Sequence, residues 1–135
     1  MGKTIAIDSS ILIYLLEDHP IYGDVCDAIL RTVARGQVDG ILSSVGLVEI
    51  MTGPKKLGDM ERLYAIRNYV LNFPNLALVD TNLPIVDLAS DLRAKYRLNT
   101  PDAIHLASAI VYGADVFITN DKALKKVKEI AIQLL

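Results

Sequence analysis

Asp8, Glu49, Asp102 and Asp121 are the residues whose types and positions could do chemistry together. Asp8 ends the run Lys3-Thr-Ile-Ala-Ile-Asp8, and Glu49 lies in Ser43-Ser-Val-Gly-Leu-Val-Glu49-Ile. Asp102 opens Thr100-Pro-Asp102-Ala-Ile-His, and Asp121 closes Asp115-Val-Phe-Ile-Thr-Asn-Asp121. Each stands where a chain passes from strand to helix, or on a helix beside such a change. In an open α/β sheet the carboxyl ends of the strands face one crevice, and ligands bind there. Carboxylates gathered in that crevice repel, each close pair costing roughly 1–4 kcal/mol between the dielectrics of water and of a protein surface. A hard divalent cation offsets the repulsion: Mg²⁺ is held by carboxylates and retained waters, and Mn²⁺ accepts similar ligands. Such an ion lowers the pKa of bound water and neutralises a phosphoryl transition state.

Each acid also has a purely structural explanation. Asp8 and Asp121 stand where a helix N-cap is expected, although Ser9 and Ser10 can cap the first helix and free the Asp8 carboxylate. Glu49 points away from Leu47, Val48, Ile50 and Met51, onto a face of small residues that suits either solvent or close approach of a metal or phosphate. Asp102 gains about 0.3–1 kcal/mol from the dipole of a first helical turn, and the same dipole keeps it ionised as a ligand. His105, one turn on, falls on a polar stripe with Asp102, Ser108 and Tyr112 and is expected on the helix surface. Thr119 and Asn120 add oxygens that could orient a ligating water or meet a phosphate. Lysines 122, 125, 126 and 128 are a solvated face that also suits a phosphate backbone.

The elements that must position these groups alternate between short apolar runs and longer helical patterns, the mark of a parallel sheet covered by helices. Strands are predicted at residues 4–7, 40–43, 75–79, 116–118 and 130–134. With Ser9 as its N-cap, the first helix runs through Ile11, Leu12, Ile13, Tyr14, Leu15 and Leu16, apolar nearly all round and therefore buried on several sides. Pro20 is placed to begin a second helix to about Arg35. A short helix from Ser44 to about Met51 is expected to stop at Gly53-Pro54, and another follows Gly58-Asp59 with Leu63, Ile66 and Val70 inward. Pro84 starts a helix with Ile85, Leu88, Ala89, Leu92 and Tyr96 facing in and an Asp91–Lys95 pair outside. Thr100 is expected to cap the next, whose core face carries Ile104, Leu106, Ala107, Ile110 and Val111. A short basic helix follows Asp121.

At 135 residues the chain, 1–135, reads as one domain. Apolar residues are 52%, about 58% with glycine counted, against roughly 45–50% in ordinary chains; the surplus points to a surface covered by a partner or second copy. The net charge of −2 supplies no global field for nucleic acid, so affinity for a polyanion must be local or cation-mediated. The single cysteine, Cys26, excludes an internal disulfide and a cysteine-rich zinc site, and is expected as a small buried hydrophobe. Neither a signal-peptide pattern nor an apolar run long enough for a membrane span is present, and a cytoplasmic location is expected.

The stretches Ile7-Asp8-Ser-Ser-Ile-Leu-Ile, Ser43-Ser-Val-Gly-Leu-Val-Glu49-Ile, Thr100-Pro-Asp102-Ala-Ile-His-Leu-Ala and Phe117-Ile-Thr-Asn-Asp121 together resemble the PIN domain, and within it the VapC-like toxin ribonucleases of toxin–antitoxin pairs. The resemblance covers almost the whole chain. It implies a three-layer α/β/α sandwich with a central parallel sheet of about five strands, and Mg²⁺- or Mn²⁺-dependent endonucleolytic hydrolysis of RNA leaving 5′-phosphate and 3′-hydroxyl ends. It also implies that Asp8, Glu49, Asp102 and Asp121 form the catalytic, metal-holding quartet, with Thr119 at the accessory hydroxyl position and Ser9 where many members carry threonine. A homodimer and a small antitoxin covering the acidic pocket are further implied. Other readings are a PIN nuclease of RNA processing, a non-catalytic PIN domain that binds RNA or a partner, and a phospho-receiver domain built on Asp80.

Overall fold

The computed structural model describes residues 3–135; Met1 and Gly2, within the expected single domain, lie outside the described residues. Five strands form one sheet in the order β3-β2-β1-β4-β5, every neighbouring pair parallel. They are β1 (Lys3–Ile7), β2 (Val38–Ser43), β3 (Leu76–Val79), β4 (Val116–Thr119) and β5 (Ala131–Leu134). The helices are α1 (Ser9–Leu16), α2 (Gly23–Ala34), α3 (Ser44–Leu57), α4 (Met60–Leu71), α5 (Leu83–Tyr96) and α6 (Thr100–Val111), with a 3-10 turn at Lys122–Lys126.

Strand alternation divides the core into two layers. Ile5, Ile7, Leu42 and Ile118 face one side, where they pack with Ile11 and Leu12 of α1, Leu30 of α2, Ile50 of α3 and Ile66 of α4. Ala6, Ile41 and Phe117 face the other, with Ile85 and Leu92 of α5 and Leu106 and Ala107 of α6. The result is the expected three-layer α/β/α sandwich. Cys26 is wholly buried in the first layer, and burial pushes its thiol up to about 11, so it acts as a hydrophobe and not as a nucleophile.

The chain winds from β1 outward through β2 to β3, then returns to lay β4 on the other side of β1. The strand order therefore reverses between β1 and β4, and that is where an open α/β sheet forms its crevice. It also disposes of the receiver reading. Asp80 follows β3, an edge strand two places from β1, and receivers use the order 2-1-3-4-5.

Several boundaries differ from the sequence expectations. The α3 helix passes through Gly53-Pro54 and ends at Gly58, whose φ of 66° supplies the left-handed cap. Pro54 forfeits one backbone hydrogen bond, but its ring is buried and the helix persists. Pro20 does not start α2: His19 Nδ1 accepts from the amides of Ile21 and Tyr22, which holds a turn until Gly23. Asn99, not Thr100, caps α6, its Oδ1 accepting from the Asp102 amide at 2.8 Å. Lys95 pairs with Glu129 at 3.3 Å instead of Asp91, because the last strand brings Glu129 beside α5. The α6 helix is buried on both sides of its stripe, with His105 and Ser108 inside and Val111 exposed, because α5, α3 and the sheet all pack on it.

Gly46 marks the closest approach among these elements. A Cβ there would lie 2.6 Å from Leu42 Cδ1 and 3.0 Å from His105 Cε1. Gly46→Ala is expected to lower the melting temperature, because overpacking costs roughly 1–3 kcal/mol and outweighs the ~1 kcal/mol gain in helix propensity. Thermal denaturation followed by circular dichroism checks this; an unchanged or raised midpoint would show that Leu42 and His105 yield freely.

Candidate metal centre

Asp8 follows the central strand β1 and occupies the N-cap position of α1, yet its side chain makes no capping bond. Its backbone amide is fixed by Ile118 O at 3.0 Å, across the β1–β4 seam. The carboxylate is instead gripped by hydroxyls: Thr119 Oγ1 donates to Oδ2 at 2.8 Å, and Ser9 Oγ lies 3.3 Å from Oδ1. Thr119 is fully buried at the end of β4 and also accepts from the Asp121 amide at 3.1 Å. One hydroxyl thus ties Asp8 to the loop that carries Asp121.

Glu49 reaches the same place from α3. Its Oε1 accepts from Ser9 Oγ at 3.0 Å and from His105 Nε2 at 2.7 Å. These bonds stabilise the ionised form, with His105 contributing most, and hold the Glu49 carboxyl below its ordinary range despite partial burial. His105 Nε2 also lies 3.9 Å from Asp8 Oδ1. Ligand atoms of Asp8, Glu49 and His105 all fall within 4.8 Å of one another, close enough to share an ion.

Asp102 enters from the first turn of α6. Burial pushes its carboxyl above the ordinary range, and the charges of Asp8 and Asp121, with a smaller part from Glu49, push it further; His105 opposes them. Asp102 therefore feels the other three acids at once. Asp121 has a structural duty as well: Oδ1 accepts from the Ala123 amide at 2.9 Å and caps the 3-10 turn. Its second oxygen has no partner among the hydrogen bonds of the described residues.

At the β1–β4 switch point ligand atoms of Asp8 and Glu49 lie within 4.8 Å of each other, with Ser9 and Thr119 as hydrogen-bonding partners. Asp102 and Asp121 lie near enough for the charges of Asp8, Asp121 and Glu49 to act on Asp102. Asn120 departs from this group, its Nδ2 donating to Tyr14 OH at 3.1 Å. Ser9 does not cap α1; it bridges Asp8 and Glu49 from the first helical position. His105, expected at the helix surface, is 3% exposed and touches the cluster. Its i,i+3 spacing from Asp102 was the available signal, but a spacing cannot reveal that Glu49 arrives from another helix.

The donor set fits a divalent cation. Carboxylates of Asp8 and Glu49 converge, and Asp102 is raised in pKa first by burial and then by the charges of the other acids. Metal binding would favour the ionised form of Asp102. In metal-free protein the two pKa directions give opposite signs. Glu49, depressed, contributes stability above its ordinary pKa that is lost as pH falls through the folded value; Asp102, raised, costs stability at neutral pH, and that cost disappears as pH falls through its folded value. At pH 7 with chelator, Glu49→Gln should lower the melting temperature, whereas Asp102→Asn should leave it unchanged or raise it. A large loss for Asp102→Asn would mean that its charge is satisfied within the protein.

Comparison with known proteins places the fold. The PIN domain family model matches residues 5–130. No curated protein matches by sequence. Among solved structures, a chain of VapBC2 from Rickettsia felis, bound to a promoter DNA fragment, superposes with a TM-score of 0.80 at 20% identity, covering 98% of each chain. DNA-bound VapBC from Salmonella typhimurium gives 0.75 at 19% identity, covering 99% of this chain and 98% of that one. The sarcin-ricin loop cleaving toxin VapC20 from Mycobacterium tuberculosis gives 0.70 at 14% identity, covering 94% and 98%. At these identities the likeness shows a shared fold. The family model spans β2, β3, β4, most of β1 and all four acidic positions, and the chain belongs to the PIN domain family.

Proposed function

We propose that this protein is a divalent-cation-dependent endoribonuclease, the toxin of a toxin–antitoxin pair. The observation that carries the reading is the meeting of Asp8, Glu49, Asp102 and Asp121 at the strand ends, in a chain of PIN family and VapC-like fold. Asp8 and Asp102 are the principal ligands of Mg²⁺ or Mn²⁺, and Glu49 and Asp121 complete the set directly or through waters. When bound, the ion lowers the pKa of a coordinated water and neutralises the phosphoryl charge that develops on attack.

The chain's own groups do the rest. Thr119 fixes Asp8 Oδ2 and Ser9 fixes Glu49 Oε1, so little reorganisation is needed on loading. Glu49, kept ionised by its hydrogen bonds, has an oxygen left to orient the attacking water. Water attacks phosphorus in line, the bond to the 3′ oxygen breaks, and the products carry 5′-phosphate and 3′-hydroxyl ends. The exposed lysines 122, 125, 126 and 128 lie on the segment that follows Asp121 and provide local cations for the RNA backbone that a net charge of −2 does not.

Two exposed apolar surfaces support partners. Between α1, α3 and α4 a groove of about 300 Å³ has Ile13, Leu16, Pro54 and Leu57 among its apolar walls and includes Glu49 in its lining; Leu57 is 80% exposed. Exposed apolar surface of this kind marks protein contact, and we assign it to a small antitoxin that also shields the acids. Leu83 and Val86 on α5 form a second exposed surface, assigned to a homodimer. Function in the cytoplasm accords with such partners; no described helix is long and apolar enough to cross a membrane.

The test is cleavage of a defined RNA panel with Mg²⁺, Mn²⁺ or chelator. Cleavage should require the cation. Asp8→Asn should reduce it by more than the roughly 10–100-fold typical of losing an outer-shell partner, with the melting transition retained. Wild-type rates in that variant, or cleavage undiminished by chelator, would refute the proposal.

A further inference from the structure

We infer that His105 is a positioning residue for Glu49, holding its carboxylate in the orientation in which it serves the cation. The inference rests on the reading of the acidic cluster as a cation centre and adds a residue to it.

An ionised carboxylate only accepts hydrogen bonds, so the short 2.7 Å contact places the proton on His105 Nε2. Ser9 Oγ donates to the same oxygen, Oε1, at 3.0 Å. Both clamps engage one oxygen, and Oε2 keeps its lone pairs for an ion or its waters. Glu49 needs such a clamp. Its side chain is 38% exposed, and a glutamate on a helix surface samples several rotamers unless something fixes it.

The imidazole is itself immobile. His105 is 3% exposed on the buried face of α6, and its Cε1 closes on the bare Cα of Gly46 in α3. Its ring also lies 6.2 Å from that of Phe117 on β4. The imidazole thus has a rigid seat formed by the sheet and two helices, and it transmits that rigidity to the one acid of the quartet that comes from a half-exposed helix. Any buried imidazole needs a partner for its N–H, and this bond gives it one in Glu49. An imidazole that ligated the ion through Nε2 would have to break it.

Three variants separate these roles. Glutamine carries its amide nitrogen near the place of Nε2 and can still reach Oε1. Asparagine keeps the polarity but stops near the place of Nδ1, and leucine keeps the bulk alone. Mn²⁺ affinity by calorimetry, Mn²⁺ pulsed electron paramagnetic resonance and RNA cleavage are measured on each, with circular dichroism melts to confirm folding. For a positioning residue, His105→Gln stays within about threefold of wild type, whereas His105→Asn and His105→Leu lose roughly 10–100-fold in Mn²⁺ affinity and in cleavage, as loss of an outer-shell partner does. The wild-type resonance then carries no histidine nitrogen coupling.

If His105→Leu fails to fold, the Gln and Asn pair decides alone. Equal affinities in wild type, Gln and Asn reduce His105 to a structural role. Nitrogen coupling to Mn²⁺ in wild type, or a loss in His105→Gln as large as in His105→Asn, makes it a ligand or a specific imidazole and overturns the inference. A wild-type protein that binds and cleaves while every variant equals it sinks the positioning role only. A wild-type protein that binds no divalent cation sinks the cation reading, and this role with it.

Discussion

The mutual repulsion of four carboxylates at one end of the sheet is the constraint around which this molecule is organised. Charge brought together at a strand terminus has to be stabilised from outside the cluster, and here the protein does so only in part. Hydroxyls of Ser9 and Thr119 and the imidazole of His105 satisfy Asp8 and Glu49, while Asp102 carries a raised pKa from its burial and, after that, from the charges of the other acids. A fold selected for stability alone would not leave that remainder. Natural proteins carry such local costs where function requires them.

Topology makes the gathering possible. Because the strand order reverses between β1 and β4, the two chain segments leaving those strands diverge and open a crevice. Asp8 and Asp121 stand at its two lips. The helices then supply the remaining acids from above: α3 leaves β2 directly and presents Glu49, and α6 crosses the opposite face with Asp102 in its first turn. The hydrogen bond between Glu49 and His105 links those two helices across the sheet edge, with the absent side chain of Gly46 permitting their approach. Packing and site geometry are therefore the same contacts seen from two sides.

The electrostatic design is local. The chain is slightly acidic overall, so a polyanionic substrate is drawn neither by net charge nor by a basic face. Lys122 follows Asp121 directly, and charges farther away than a Debye length, about 8–10 Å at physiological salt, are screened. A divalent cation in the crevice would offset two of its four negative charges. The groove between α1, α3 and α4 includes Glu49 beside Leu16, Pro54 and Leu57, so a partner seated there would also be adjacent to one of the acids.

Much of this was legible in the residues themselves. Buried apolar runs alternating with amphipathic helices specify a parallel sheet, because only helices on both faces satisfy strands that are apolar on both sides. The four acids were identifiable because strand termini and first helical turns are local features, and a carboxylate there needs a reason. Helix ends were less legible. Pro54 stays inside α3 because its burial offsets a missing hydrogen bond, and His19 delays α2 through a side-chain contact that propensity does not encode.

What only the tertiary structure decided was which groups share contacts over long separations in sequence. Thr119 reaches Asp8, Ser9 bridges to Glu49, and His105 turns from an expected surface residue into a buried donor. A helical stripe shows which residues lie on one side of α6, but not what packs against that side. Burial and hydrogen bonding are properties of two surfaces, and the second surface is set by strand order, which local patterns do not determine.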